Sequence, residues 1–404
     1  MRQRIPHDLS PGLPCRVRIL ISTWGWRSHF YCLVPLAWAL QAAGHEVLVA
    51  TQPGLAPVVD EAGLVAVPLG PHLDFEAVFT DRIGKVGGST GDGTPDPDGP
   101  AITPDGGVVH MADAWVDELV AFGRSFRPDL VLWEPFNLAA AVAAAVLDVP
   151  GAQVLWGPDH GSTLAWDHDG VFGPMARRFG ITPSDVRLAG GLMIDPVPAP
   201  LQVPLPVPSL PMRYLPYNGT HVLPPWLHEP PSRPRVCVTG GTVAGPGLSE
   251  RADLADVIRA VADLGADVVV AVAKAHRDAL PPLPDIVRVA DAPLALRLAL
   301  PGSAAFVQHG GAGTMMTALV HGVPQLVLPQ VGDEHFNAER LLLSGAGQVL
   351  EEPDVASVRD SVAALMDGGP WREAAELLRD RIHAMPTPAQ VVDQLVAYAE
   401  GGRP

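Results

Sequence analysis

The run HGGAGT at 309–314 places an imidazole, three glycines and a threonine hydroxyl between an apolar stretch, AAFVQ, and a helix-forming one, MMTALVHG. A strand that ends at His309, turns on Gly310, Gly311 and Gly313, and restarts as a helix at Thr314 leaves free N–H groups at its mouth. The helix dipole favours an anion there, and glycines let a ligand approach the backbone without Cβ collisions. The chemistry this suits is phosphate binding. A glycine turn needed only for close helix–sheet packing would look similar, but the histidine and the threonine are both in phase with the helix start. Downstream, Asp333 and Glu334 open another helix just past the apolar run QLVLP. They suit a helix N-terminus, with Asp333 as cap, and they equally suit the hydroxyls of a polyol attached to the phosphate. In the other half of the chain, His29 closes the segment TWGWRSH after the run VRILIS. An imidazole there, with an ordinary pKa near ~6.5, can take a proton from a hydroxyl at neutral pH. The position also suits a helix cap or a solvent-facing ring. A base histidine needs an orienting partner on its other nitrogen, and Glu134, following the run DLVLW, is the candidate.

These residues must be carried by strands and helices in alternation. VRILIS (17–22), EVLVA (46–50), LVAVPL (64–69), PDLVLW (128–133) and AQVLWG (152–157) read as buried parallel strands. Helical stretches near 34–44, 55–61, 111–126 and 138–147 separate them. RVCVTG (235–240), ADVVVAV (266–272), IVRVA (286–290), AAFVQ (304–308) and QLVLP (325–329) repeat the alternation. The fold class is α/β, with two Rossmann-like parallel-sheet domains facing across a cleft, since open sheets bind ligands beyond the carboxyl ends of their strands. Expected boundaries are a flexible tail at 1–15, an acceptor-binding domain at 16–212, a proline-rich linker at 213–234 and a nucleotide-sugar domain at 235–384. A C-terminal helix at 385–404 completes the chain, with Thr387-Pro388 as its cap and first turn. Residues 84–107, rich in glycine, proline and aspartate, read as a mobile loop able to close over an acceptor.

Composition removes several classes. With 44 acidic and 27 basic residues, net charge −17, no basic face for nucleic acid is visible. No apolar run approaches the ~20 residues that cross a bilayer, and the first fifteen residues lack a signal-peptide core. Three scattered cysteines, Cys15, Cys32 and Cys237, argue against a disulfide framework or structural zinc and fit a cytoplasmic protein. His321 and His335 are isolated, so no metal site is expected. HGGAGT is neither a Walker loop nor G-x-G-x-x-G, which removes ordinary kinase and dehydrogenase readings.

The block HGGAGTMMTALVHGVPQLVLPQVGDEHFNAERLLLSGAG (309–347) resembles the nucleotide-sugar motif of the GT-B, family 1 glycosyltransferases. LVPLAWALQAAGHEV (33–47), MRYLPYNG (212–219) and MPTPAQVVDQL (385–395) are similar to the actinobacterial branch that moves deoxysugars onto macrolide and aromatic polyketide aglycones. By that resemblance His309 donates to the β-phosphate, while Thr314 and the backbone of Gly311, Ala312 and Gly313 hold the α-phosphate. Asp333 and Glu334 bind sugar hydroxyls. The family more often has Asp-Gln at this pair, so the hydroxyl pattern at Glu334 should differ. Asn337 matches the family's asparagine. Gly241 and Thr242, after Gly240, match the loop flanking the diphosphate, and Ala292 falls where relatives contact the base, here without a stacking tryptophan. His29 matches the base that deprotonates the acceptor, in the serine-histidine variant of its loop. Glu134 stands where relatives carry an aspartate partner.

The resemblance implies a metal-independent, inverting hexosyl transfer from a dTDP-sugar or UDP-sugar, with no cofactor, to a hydrophobic polyketide-type acceptor. Trp24, Trp26, Phe30, Tyr31, Trp156, Trp166, Phe172 and Met175 are candidates for an apolar acceptor wall. A nucleotide-sugar epimerase or hydrolase-like enzyme, and a non-catalytic sugar-nucleotide-binding activator, are the rival readings. The acceptor wall weighs against the first, and the retention of both His29 and the phosphate loop weighs against the second. A homodimer or an auxiliary activator protein remains open as partner.

Overall fold

A computed structural model of the chain describes residues 16–72, 106–240, 253–272, 274–290, 294–330 and 332–402. Seven parallel strands make the first sheet: β1 (Arg18–Ser22), β2 (Glu46–Thr51), β3 (Ala66–Pro68), β4 (Leu130–Trp133), β5 (Gly151–Val154), β6 (Leu192–Asp195) and β7 (Ser209–Pro211). Their order is β3-β2-β1-β4-β5-β6-β7. Six more form the second: β8 (Arg235–Val238), β9 (Asp267–Val270), β10 (Val287–Val289), β11 (Ala305–Gln308), β12 (Gln325–Val327) and β13 (Gly347–Val349), ordered β10-β9-β8-β11-β12-β13. All pairings are parallel, and both faces of each sheet are covered. That is why β1, β4, β8 and β11 read as continuous apolar runs rather than alternating ones.

Three local features depart from the sequence reading. The helix expected over 111–126 is two, Gly107–Asp113 and Val116–Phe126. Trp115 breaks it by leaving helical geometry (φ −139°, ψ −1°) while its indole is fully enclosed in the core. β6, β7 and β13 extend the sheets where no strand was read. β6 is only four residues, all buried, and β7 ends in a proline that an edge strand tolerates. Residues His168–Arg178 form a helix that turns Phe172 and Met175 into the core, at 0% and 1% exposure, so neither belongs to an acceptor wall. Phe30 is likewise core, and Tyr31 faces Tyr217 edge-on at 5.2 Å. The expected mobile loop at 84–107, apart from Gly106 and Gly107, and the tail at 1–15 lie outside the described residues.

The last helix, Pro388–Ala399, opens with a reciprocal cap between Thr387 and Gln390. It buries Val391, Val392, Leu395 and Ala399 among Val34, Leu36 and Leu40 of the first sheet's core. Tyr398 fastens it by donating its hydroxyl proton to the Gly151 carbonyl at 3.0 Å.

Candidate active site

Each sheet reverses its winding between two neighbouring strands, β1 and β4 in the first and β8 and β11 in the second. Connections from such neighbours leave to opposite sides, which opens a crevice at their carboxyl ends. His29 follows β1 and Glu134 follows β4; His309 follows β11. His29, Glu134 and His309 therefore issue from the two crevices, and Asp333 and Glu334 follow the next strand, β12.

His29 sits in the short helix Arg27–Tyr31 with its side chain 19% exposed, and Glu134 is fully buried. His29 Nδ1 lies 3.2 Å from Glu134 Oε2, which also accepts the Phe136 N–H at 3.0 Å. The second carboxylate oxygen, Oε1, is buried without a partner. Asn137 supports the turn after β4: its carbonyl caps the helix Leu138–Leu147, and its amide donates to Ser22 Oγ at the end of β1. The methylene by which glutamate exceeds aspartate is thus absorbed in reaching the imidazole. Trp24 also directs its indole N–H at His29 Nδ1. The two contacts require opposite tautomers. The one that leaves Nε2 with a free lone pair, as a base needs, has Nδ1–H donating to Glu134. Trp24, Trp156 and Trp26 surround the ring with centroids at 4.8, 4.2 and 6.4 Å. Of the aromatic set, these are the residues around the imidazole.

In the second half, β11 ends at Gln308 and the helix Ala312–Val320 starts after Gly311. Gly310 has φ +108°, and a Cβ there would fall 2.8 Å from the Glu334 carbonyl, so no other residue fits this turn. The Gly310 N–H is not open to a ligand, because it donates to Gln308 Oε1 at 2.6 Å. Gly310 therefore turns the chain and does not donate at the mouth of the helix. The run that lacks intrahelical acceptors comprises the first-turn amides of Ala312, Gly313 and Thr314. The Gly313 carbonyl is fixed by Thr317 Oγ1 at 2.6 Å and Tyr214 Oη at 3.2 Å. Gln308, absent from the sequence reading, braces the turn: its amide donates to Gln325, which donates in turn to the Met315 carbonyl. A glutamine closing an otherwise apolar strand was the available signal. Burial pushes the His309 pKa down to about 4 despite the opposing pull of Asp333, so its ring is neutral at pH 7. It contributes a hydrogen bond and not a charge.

Asp333 holds the N-cap position of the helix Glu334–Ser344 without a side-chain capping bond; its carboxylate accepts from Asn337 Nδ2 at 2.9 Å. The same amide donates to the Gly310 carbonyl at 2.9 Å, joining the phosphate turn to Asp333. Asn337 Oδ1 is buried without a partner. Glu334 Oε2 accepts the Gln330 N–H at 2.8 Å. Gly241, Thr242 and Ala292 lie outside the described residues. Among the described residues no three His, Cys, Asp or Glu side chains cluster closely enough to hold a metal ion, and no helix is long and apolar enough to cross a membrane.

The two crevices meet along one stretch, Trp156 to His160, that follows β5. Trp156 packs against His29 with the rings tilted by 53°, and a Cβ on Gly157 would lie 2.7 Å from that of Ala312. The His160 ring lies 5.1 Å from that of Phe336. Arg340 adds a second tie by donating to the carbonyls of Leu201 and Gln202.

The sequence matches two family models, "Erythromycin biosynthesis protein CIII-like, N-terminal domain" over residues 38–241 and its C-terminal counterpart over 255–398. It is 36% identical to the 10-deoxymethynolide desosaminyltransferase of Streptomyces venezuelae, with 95% of this chain and 97% of that one covered. Identity to the aklavinone 7-beta-L-rhodosaminyltransferase of Streptomyces galilaeus is 38%, covering 94% and 95%. Among solved structures, glycosyltransferase VinC in complex with dTDP superposes with a TM-score of 0.77 at 32% identity, over 95% of this chain and all of that one.

Proposed function

Because the chain belongs to the erythromycin CIII-like glycosyltransferases of GT-B fold, we propose that it moves a deoxysugar from dTDP to a hydroxyl of a polyketide-type aglycone by a single inverting displacement. The donor class follows from the relatives, whose names specify amino- and deoxysugars on macrolide and anthracycline-type acceptors, and from the dTDP bound to VinC.

His29 Nε2 takes the acceptor proton as the hydroxyl oxygen attacks the anomeric carbon. Glu134 receives the Nδ1–H bond and stabilises the imidazolium that forms. The C–O bond to the diphosphate breaks on the opposite face. The departing oxygens gain charge, which the amides of Ala312, Gly313 and Thr314, the Thr314 hydroxyl and the His309 N–H receive. Asp333 and Glu334 hold sugar hydroxyls, with Asn337 fixing Asp333. Trp26 and Trp156, half-buried beside His29, offer an apolar, ring-accepting wall, while Trp24 is enclosed behind the ring. Residues 16–212 serve as the acceptor half and 235–384 as the donor half, in a cytoplasmic protein. The observation that most supports this reading is that one stretch, Trp156 to His160, touches both His29, paired with the buried Glu134, and Ala312 at the start of the phosphate helix.

The test is incubation with a panel of dTDP- and UDP-sugars and with macrolactone or polycyclic acceptors, following product mass. His29→Ala should abolish transfer and leave dTDP binding intact. Transfer by H29A at the parental rate refutes the base assignment. Turnover by the purified chain alone, against turnover only with a helper protein added, decides the need for a partner.

A further inference from the structure

We propose that His160, which the first half of the chain projects against the helix Glu334–Ser344, reads a polar substituent of the transferred hexose and so helps set donor-sugar specificity. This rests on the nucleotide-sugar reading above and adds to it a contact from the opposite half.

The first ground is position. Within five residues the stretch 156–160 passes the His29 ring, the first residue of the phosphate helix, and Phe336, three positions after Asp333. Its last side chain is therefore next to the carboxylates assigned to the sugar, far along the stretch from the base. The electrostatic influence of Asp333 on His160 places the two groups in one neighbourhood.

The second ground is an unmet hydrogen bond. His160 is 5% exposed and its Nδ1 is buried with no partner. A buried polar atom left so is destabilising unless a ligand completes it. The backbone that carries the ring is held in place. Its N–H donates to the Pro158 carbonyl at 2.8 Å, and its carbonyl accepts from Thr163 N and Oγ1 at 3.0 and 2.8 Å. The ring is backed by Phe336.

The third ground is space. A cavity of about 240 Å³ opens between His160 and Gly332, His335, Phe336 and Glu339. Gly332 immediately precedes Asp333 in the chain, and the cavity extends from there toward Leu342, Val349 and Glu351.

The chemistry of the seat selects the ligand group. Burial lowers the His160 pKa, so the ring is neutral at pH 7 and offers one N–H and one lone pair. With Asp333 nearby the surroundings repel an anion. A pyranosyl hydroxyl can accept from that N–H or donate to that lone pair, and an ammonium substituent can donate to the lone pair; a phosphate oxygen only accepts and brings a like charge toward Asp333.

Calorimetric titration separates this contact from nucleotide binding. The probes are dTDP, dTDP-α-D-glucose and dTDP-β-L-rhamnose, and the quantity read is the affinity each sugar adds to that of dTDP alone. His160→Phe should reduce that increment at least tenfold for the sugar the parent holds tightest, with dTDP affinity changed less than twofold. His160→Asn, which keeps a donor and an acceptor, should retain part of the increment and change the preference between the two sugars. The proposal is overturned if both variants preserve the parental increments and their spacing, if dTDP and the dTDP-sugars weaken equally, or if neither sugar adds to dTDP affinity in the parent. A parent that binds no dTDP at all refutes the nucleotide-sugar reading itself, a different result from loss of the increment.

Discussion

Glu134→Gln isolates the charge of the buried acid while preserving its shape. The imidazolium that forms as His29 takes the acceptor proton lies 3.2 Å from Glu134 Oε2, with the carboxylate wholly enclosed. At an effective dielectric of about 20, Coulomb's law gives about 5 kcal/mol for that separation. Oε2 also serves the Phe136 N–H, which dilutes the charge available to the ring. The expected loss in kcat is on the order of 10³-fold, each 1.36 kcal/mol of barrier being about tenfold. The amide brings a second effect of the same sign, because an NH2 facing Nδ1 favours the tautomer with its proton on Nε2, which cannot act as base. The assay is initial rate at saturating donor and acceptor across pH 6 to 9, beside dTDP affinity by titration. The reasoning predicts an unchanged dTDP Kd and a kcat deficit at every pH. A kcat within tenfold of the parent, or a deficit matched by lost dTDP affinity, refutes it.

Gly311→Val should weaken dTDP binding at least tenfold, measured by titration, since even a Cβ at Gly311 falls 2.6 Å from His309 Nε2 and displaces that ring from the mouth of the helix; parental affinity would contradict the loop assignment. Burial raises the Asp195 pKa to about 6 from an ordinary 3.8. A raised carboxyl pKa means that the unfolded state loses its proton first, so stability falls as pH rises from about 3.8 to about 6 and stays reduced above. Asp195→Asn keeps the oxygen that accepts from Val197 and Gln202. It should stabilise the protein by up to about 3 kcal/mol at pH 7.5 and hardly at all at pH 3.5, read by denaturant melts; a gain that does not depend on pH would exclude this cause. Leu395→Ala, at 0% exposure in the last helix, should cost about 3 kcal/mol of stability by thermal melt, with dTDP affinity below the melt retained; a Tm unchanged within error would contradict its place in the first sheet's core.

The strands that carry chemistry were legible because a strand covered on both faces is apolar throughout, and β1, β4, β8 and β11 are the central four. The peripheral β6, β7 and β13 were not legible. They lie toward the sheet edges, and each owes its form to the neighbour it extends. The glycine turn at 310–313 was legible because only glycine fits it, whereas the capture of the Gly310 N–H by Gln308 depends on a rotamer that no spacing encodes. Likewise Asp333 has the residue type of a cap, yet Asn337 takes its carboxylate from one turn later. Phe172 and Met175 were misassigned to the cleft because hydrophobicity alone does not distinguish a pocket wall from a core. The stretch 156–160 was visible as the end of a strand, and its contacts across the gap exist only once both halves are folded.

The closing helix has a bearing on how the molecule comes into being. A ribosome releases the chain from the N-terminus at roughly 5–20 residues per second, and the first sheet's last strand, β7, is complete by Pro211. The groove over Val34, Leu36 and Leu40 must nevertheless wait for Val391 and Leu395, some 180 residues later in translation. For about ten to forty seconds at that pace the nascent sheet carries an uncovered oily seam, the natural target for a chaperone. The half made first is thus the half finished last.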